Sequence, residues 1–519
     1  MNGELFDATT QAAIDAAWLL GAIAPASAHG ENVAPIVSDP AAVVRDARDL
    51  APAKAAAALD AICGAPDIAS ALARASAGDA LDDAALLEIA RFCRGSLDAE
   101  AALSGYAIGI DLDASACREV ERELAPGKAG TYGFYLDERF DPSLGAARER
   151  ARGAAATFEA ARGRSTRAIA AALGRDEIGD DEFVLMRADA PATLPHGLRV
   201  IREAPTYLLC SCELDESALA ALAHRDAAVA AQAEAERAVR KRLSAFVARH
   251  AVALDRAAAA LGALDRHLAR VAFARDHGCV VAEEGDGIAF EAARFLPLVA
   301  ELEREGRSYA PISLDLASVA VLTGPNMGGK SVALRTCGFL AFCVALGLPV
   351  PARRARIARF DRIAWLGIAA DREGGGLLSS FAREVVRLRE ILERPEERTL
   401  VLVDEFARTT TPHEGRALLV ATIARLRERG ATGLIATHLA GVAKAAGVRH
   451  FAIRGLRATP PPPEDGDLSE ALAALADAMD YTLAEVTADA PPQTDALALA
   501  ELLGLDPALV RAAHAYLRE

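Results

Sequence analysis

Aromatic residues are scarce in this chain, at 5% of 519 positions, with only two tryptophans. Hydrophobic content is nevertheless 52%, much of it alanine. A core poor in rings and rich in small side chains predicts long, closely packed helices, and the length suits two or three domains. No apolar run approaches the roughly 18 residues that a transmembrane helix needs, so none is expected. The stretch 12–28 is interrupted by Asp15 and has no basic leader, so no signal peptide is expected and the expected compartment is the cytoplasm. Eight cysteines show no zinc-type pairing. The one close pair, Cys210-Ser-Cys212, has no partner pair and reads as reduced core thiols. Positive charge is also short, with 57 Lys and Arg against 73 Asp and Glu, a net −16. That balance argues against a surface devoted to gripping nucleic acid, although it leaves room for a local basic track.

What the chain does have is the run Thr323-Gly-Pro-Asn-Met-Gly-Gly-Lys-Ser331. It follows the apolar Ser318-Val-Ala-Val-Leu322 and opens into Val332-Ala-Leu-Arg-Thr-Cys-Gly-Phe-Leu340, which reads as a helix. Strand, glycine-rich loop and helix, with Gly324–Ser331 fitting G-x-x-x-x-G-K-[ST], make a phosphate cradle. Backbone N–H groups of Gly324, Pro325 (which has none to give), Asn326, Met327, Gly328 and Gly329 would wrap the phosphates at a helix N-terminus, apart from that one proline. Lys330 would reach the β- and γ-phosphates, and the Ser331 hydroxyl would hold Mg²⁺. ATP and Mg²⁺ are therefore the expected cofactors.

Downstream, Thr399-Leu-Val-Leu-Val-Asp404-Glu405 reads as a strand of a parallel sheet ending in two acids. Asp404 is placed to hold Mg²⁺ and Glu405 to orient or activate water. Gly433-Leu-Ile-Ala-Thr-His438 reads as another short strand, ending in a histidine placed to sense the γ-phosphate or the water. Two more segments complete the pattern: Asp371–Glu384, a loop running into a helix, and Glu405–Gly415, which begins at the second acid.

Taken together, these segments resemble the MutS family of ABC-type ATPases over roughly 305–450, most specifically through the phosphate loop with Asn326 and Met327. The resemblance implies an α/β, P-loop ATPase domain joined to a mostly helical core with long lever and clamp helices. It also implies two subunits facing each other, each completing the other's site. Ser379-Ser380-Phe381 matches the family's Ser-Thr-Phe loop, so Ser379 or Ser380 would reach the opposite subunit's γ-phosphate. Tyr309 falls where the family has an aromatic that stacks on adenine, and His438 matches the family's Ala-Thr-His. Where mismatch-repair members have glycines after the acids, this chain has Ala407 and Thr409. The pattern ending at Gly415 instead resembles the bacterial branch fused to an Smr nuclease.

The same resemblance divides the chain into a helical core (1–130), lever and clamp helices with a strand-bearing tip (131–280), and an ATPase domain ending in a helix–turn–helix for dimerisation (281–519). Expected helices include 50–62, 68–77, 82–94, 141–173 and 215–276, and expected strands 183–186, 198–201 and 207–209. Arg237, Arg240, Lys241 and Arg242 form either a phosphate-contacting patch or a solvated helix face. No Phe-x-Glu mismatch wedge occurs in the first part, and no Smr nuclease follows 494–513, which resembles the dimerising helices. Two functions are therefore expected. One is a homodimeric ATP-dependent clamp on duplex or branched DNA. The other is a reactivating partner of an adenosylcobalamin-dependent lysine or ornithine aminomutase. No membrane partner is expected.

Overall fold

A computed structural model describes residues 6–31, 39–129, 133–179, 182–325, 328–367, 380–393, 398–408, 410–457, 468–490, 496–502 and 504–517. These form two compact units. One takes the described residues of 1–55, 106–110 and 262–519, and the other takes 56–105 and 111–261. Helices and sheets are mixed, and the largest sheet is mainly parallel.

The unit containing 111–261 is built of long helices and one small sheet. Its helices include Asp83–Ala102, Ser115–Leu124 and Pro142–Ala172, and the side chain of Asp82 caps the first of these from Ala85 N. Glu182–Met186, Tyr207–Cys212 and Leu198–Glu203 pair antiparallel in that order. Helix Glu216–Asp276 carries the three- and four-residue seam. Leu243, Val247, Leu254 and Leu261 are buried in this unit, whereas Leu264, Leu268 and Val271 are buried in the other. The arginine run is a paired face: Arg240 Nε lies 2.8 Å from Asp83, Arg242 Nη1 lies 3.1 Å from Glu123, and Arg237 bonds Glu234. Exposed pairs of this kind add little stability, and here they cancel the positive charge that a phosphate track would use.

In the other unit, α1 (Ala8–Ala13) and α2 (Ala16–Ala22) precede a six-stranded sheet. Its elements are β1 (Val319–Thr323), α3 (Lys330–Ala345), β2 (Arg362–Gly367), α4 (Ser380–Leu392), β3 (Thr399–Asp404), α5 (Pro412–Glu428), β4 (Thr432–Ala436), β5 (Arg449–Leu456) and β6 (Met479–Val486). Strand order is β2-β3-β4-β1-β5-β6, parallel except for the β5–β6 pair. All five residues of β1 and of β4 are buried, as expected of strands covered on both faces. A smaller sheet orders Glu283–Glu284, Arg354–Ile357, Ile288–Ala293 and Ile312–Leu316.

α3 is the centre of the core. Phe339 and Phe342 are fully buried, and Phe6 meets Phe342 edge-on with centroids 4.7 Å apart. Ile14 and Leu19 are fully buried in the same cluster. Gly338 permits this approach, because a Cβ there would lie 2.5 Å from Ile14 Cγ2 and 3.0 Å from Leu402 Cδ1. Thr10 Oγ1 accepts from Trp365 N at 3.1 Å, and Arg387 of α4 bonds Asp7. Residues 6–55 fall in the same compact unit as the sheet, where Phe6, Ile14 and Leu19 help fill its core. Two further helices, Ala496–Leu502 and Pro507–Tyr516, lie where the helix–turn–helix was expected, with Gly504 at φ 81° and Asp506 capping Ala508 N.

Both tryptophans, Trp18 and Trp365, lie in this unit, so their fluorescence follows its unfolding. Leu19→Ala should remove about 2–5 kcal/mol, as buried leucine truncations do. The urea midpoint read by tryptophan fluorescence should fall accordingly; an unchanged midpoint would show that the N-terminal helices add nothing to this core.

Candidate functional site

The site is laid out by strand register. Leu322 of β1, Ala436 of β4 and Asp404 of β3 stand in one row, with Gly367 of β2 beside Asp404. The carboxyl ends of four parallel strands are therefore level, and the chain's polar residues begin just past them. Thr437 N donates to Leu322 O and Glu405 N to Ala436 O, both at 3.0 Å, so the row continues one residue into the loops. Thr323 is tied from behind: its hydroxyl is 2.8 Å from His450 Nε2, and His450 Nδ1 faces Thr487 O at 3.1 Å. The second contact makes Nδ1 the donor, which leaves Nε2 to accept from Thr323.

From β1 the chain turns through Gly324 and Pro325 into Gly328 and Gly329, and α3 starts at Lys330. Gly329 caps that helix at φ 87°, a left-handed conformation glycine adopts without steric cost. Lys330 is buried, its Nζ donating to Gly324 O at 3.0 Å and Pro325 O at 3.1 Å, with Glu405 Oε1 at 3.7 Å. The Ser331 hydroxyl lies near enough to the Asp404 carboxylate to favour its charged form. Burial pushes the Asp404 carboxyl above the usual carboxylate value and Glu405 adds to this, against the Ser331 hydroxyl and the Arg335 and Lys330 charges. Glu405 also faces Arg408 Nη1 at 3.5 Å. His438 is exposed at the end of β4, next to the buried Thr437.

A cavity of about 690 Å³ adjoins this loop, lined by Gly328, Gly329, Val332, Tyr309, Tyr481 and Arg307 among others. Tyr309 is partly buried against the core, and its hydroxyl accepts from Phe295 N at 3.2 Å. Tyr481 of β6 comes closer to the loop: a Cβ on Gly329 would lie 3.2 Å from its ring. Asp477 and Arg457 supply charge to the same cavity. Asn326, Met327 and Ser379 lie outside the described residues, as does the side chain of Ser380.

Lys330, Ser331, Asp404 and Glu405 are thus brought together, with Gly324, Pro325, Gly328 and Gly329 around them. Sequence reasoning missed Tyr481, Arg307 and Asp477. Tyr481 stands in an ordinary strand well beyond the motifs, with no spacing that ties it to the glycine-rich loop. Only the pairing of β6 with β5 brings it there. An oxygen set of one hydroxyl and one half-buried carboxylate suits a hard cation such as Mg²⁺ that takes its remaining oxygens from water and phosphate. Among the described residues no three His, Cys, Asp or Glu side chains form a metal site of their own.

Residues 320–457 match MutS domain V. The endonuclease MutS2 of Thermus thermophilus is 38% identical over 182 residues, 35% of this chain and 23% of the relative. The endonuclease MutS2 of Streptococcus gordonii is 33% identical over 198 residues, 38% of this chain and 25% of the relative. The DNA mismatch repair protein MutS of Natronomonas pharaonis is 39% identical over 175 residues, 33% of this chain and 20% of the relative. The chain therefore spans a quarter or less of the length of these relatives.

A carboxylate whose pKa is raised by folding opposes folding when ionised. The penalty is absent below the unfolded value near 3.8 and complete above the folded value. Asp404→Asn should therefore raise the urea midpoint at neutral pH without divalent cations, and the gain should fade as the pH falls toward the unfolded value. A midpoint lowered at neutral pH would contradict the burial penalty.

Proposed function

Because its domain V makes this chain a member of the MutS family, we propose that it is a Mg²⁺-dependent ATP hydrolase that works as a homodimeric clamp on duplex or branched DNA. The observation that carries the reading is the convergence of Lys330 and Ser331 with Asp404 and Glu405 at the level carboxyl ends of β1 and β3. We assign the helical part to 1–130, the lever and clamp to 131–280, and the P-loop ATPase domain with its dimerising end to 281–519.

In this reading the amides of 324–329, other than that of Pro325, hold the phosphates at the α3 N-terminus, where the helix dipole favours negative charge. Lys330 exchanges its carbonyl partners for phosphate oxygens. Ser331 and Asp404 hold Mg²⁺, which when bound supplies charge neutralisation at the phosphates. Glu405, anchored through its backbone to β4, orients the attacking water and accepts its proton. His438 sits where the end of β4 faces the same row and senses the γ-phosphate. The base occupies the cavity between Tyr309 and Tyr481, with Tyr481 giving the stacking face. Ser379 or Ser380 reaches the γ-phosphate of the partner subunit's nucleotide. Exposed Arg164, Arg167, Arg199 and Arg202 are available to DNA phosphates.

The relatives' names refer to nucleic-acid chemistry, which favours DNA over an aminomutase as the partner. Among the described residues no single helix is long and apolar enough to cross a membrane.

Lys330→Ala should abolish nucleotide binding or turnover, and Glu405→Ala should keep ATP bound while hydrolysis falls to a small residual rate. Tyr481→Ala should raise KM for ATP roughly tenfold with kcat held, the size of one base–aromatic stack. Unchanged turnover in the first two variants would overturn the site. Labelled homoduplex and branched DNA, titrated with and without ATP at two salt concentrations, test the partner. Nucleotide-dependent binding that weakens steeply with salt is expected, and no binding by an active ATPase would remove DNA from the reading.

A further inference from the structure

Two residues just past β3 have a backbone that side chains resist: Glu405 at φ 55° and Ala407 at φ 62°. A non-glycine residue in this left-handed region costs on the order of 1–2 kcal/mol, so something must hold it there. Phe406 and Ala407 are buried, in a cluster against which Phe381 and Leu388 of α4 pack. The polar hold also comes from α4, where Glu384 Oε2 accepts from Ala407 N at 2.9 Å. One turn further along, Arg387 Nε donates to Trp365 O at 3.3 Å and its Nη2 bonds Asp7. α4 is thus fixed to β2 and to the N-terminal segment while it grips the loop of Glu405.

We propose that Glu384 is a positioning residue for Glu405, holding the 405–408 loop in its left-handed path so that the Glu405 carboxylate stays beside Lys330. This rests on the ATPase reading above. Glu384 touches neither Lys330 nor Glu405 through its side chain. Its effect passes through the Ala407 backbone, and it follows that hydrolysis depends on where α4 is seated. An acceptor is required at residue 384, not a charge.

The test compares Glu384→Ala with Glu384→Gln for kcat and for affinity toward a fluorescent ATP analogue. Glu384→Ala should lower kcat at least tenfold with nucleotide Kd changed less than about threefold, because binding groups and water-orienting group separate in this way. Glu384→Gln keeps an oxygen acceptor and should retain kcat within about threefold. In a Glu405→Ala background, Glu384→Ala should reduce the residual rate no further, since it acts only through Glu405. Equal losses in both backgrounds, a Kd that rises in step with the loss of kcat, or a Gln variant as impaired as the Ala one would each overturn the proposal. Should Glu384→Ala fail to fold, the Gln variant and its Glu405→Ala double mutant still decide. If the unmodified protein does not hydrolyse ATP, or Lys330→Ala leaves binding and turnover intact, the ATPase reading fails instead.

Discussion

The rest of this structure depends on one register: Leu322, Ala436 and Asp404 aligned across β1, β4 and β3. β4 enters the sheet between two strands that precede it in sequence, and this sets the glycine-rich loop and the acidic pair two strands apart. That separation brings Lys330 Nζ to 3.7 Å from Glu405. A shift of one residue would turn the buried side chains of β3 to the opposite layer and move Asp404 away from Ser331. Continuous apolar strands with both faces covered strongly oppose such a shift. The same burial that fixes the register also removes water from Asp404, so the sheet that positions the carboxylate also makes its charge costly without a cation.

That sheet is completed by residues far away in sequence. Phe6, Ile14 and Leu19 cover α3, and Gly338 leaves the space for them. Asp7 and Thr10 then tie the same segment to Arg387 and Trp365. Farther along, Asp265 accepts from Ala26 N at 2.9 Å and Ser27 N at 2.8 Å, while buried Asp46 bonds His267 Nε2 at 2.8 Å. One N-terminal segment is therefore bonded both to the last turns of the long helix, residues 262–276, and to α3 and α4. These contacts are buried or part-buried and largely satisfied, which is the condition for transmitting a displacement rather than absorbing it.

Much of the fold was legible because its signals are local. A glycine-rich turn after an apolar strand, two acids ending another and a seam stepping by three and four each lie within one element. The two longest helices were found close to their expected ends and Asp82 caps where its position indicated, although the helix it caps continues past the expected 94 to Ala102. The misses are all non-local. Tyr481 reaches the cavity only through the pairing of β6, and Glu384 reaches Ala407 only because α4 packs over β2. The packing of residues 6–22 was not legible either, because an alanine-rich stretch with few large side chains carries a weak amphipathic signal while filling a specific gap.

Loop chemistry after β3 shows how such a miss arises. Alanine at 407 in place of glycine reads, from sequence, as a loop made stiffer. In the folded chain Ala407 adopts a left-handed backbone that glycine takes without steric cost, so alanine there adds a cost that the loop must meet. A buried Phe406, the Glu384 acceptor and the Glu405–Ala436 backbone bond together meet it. Strain that neighbouring elements must hold in place ties the loop's conformation to those elements. A glycine at 407 would carry less of that cost, whereas alanine leaves more of it for the contacts with α4 to meet.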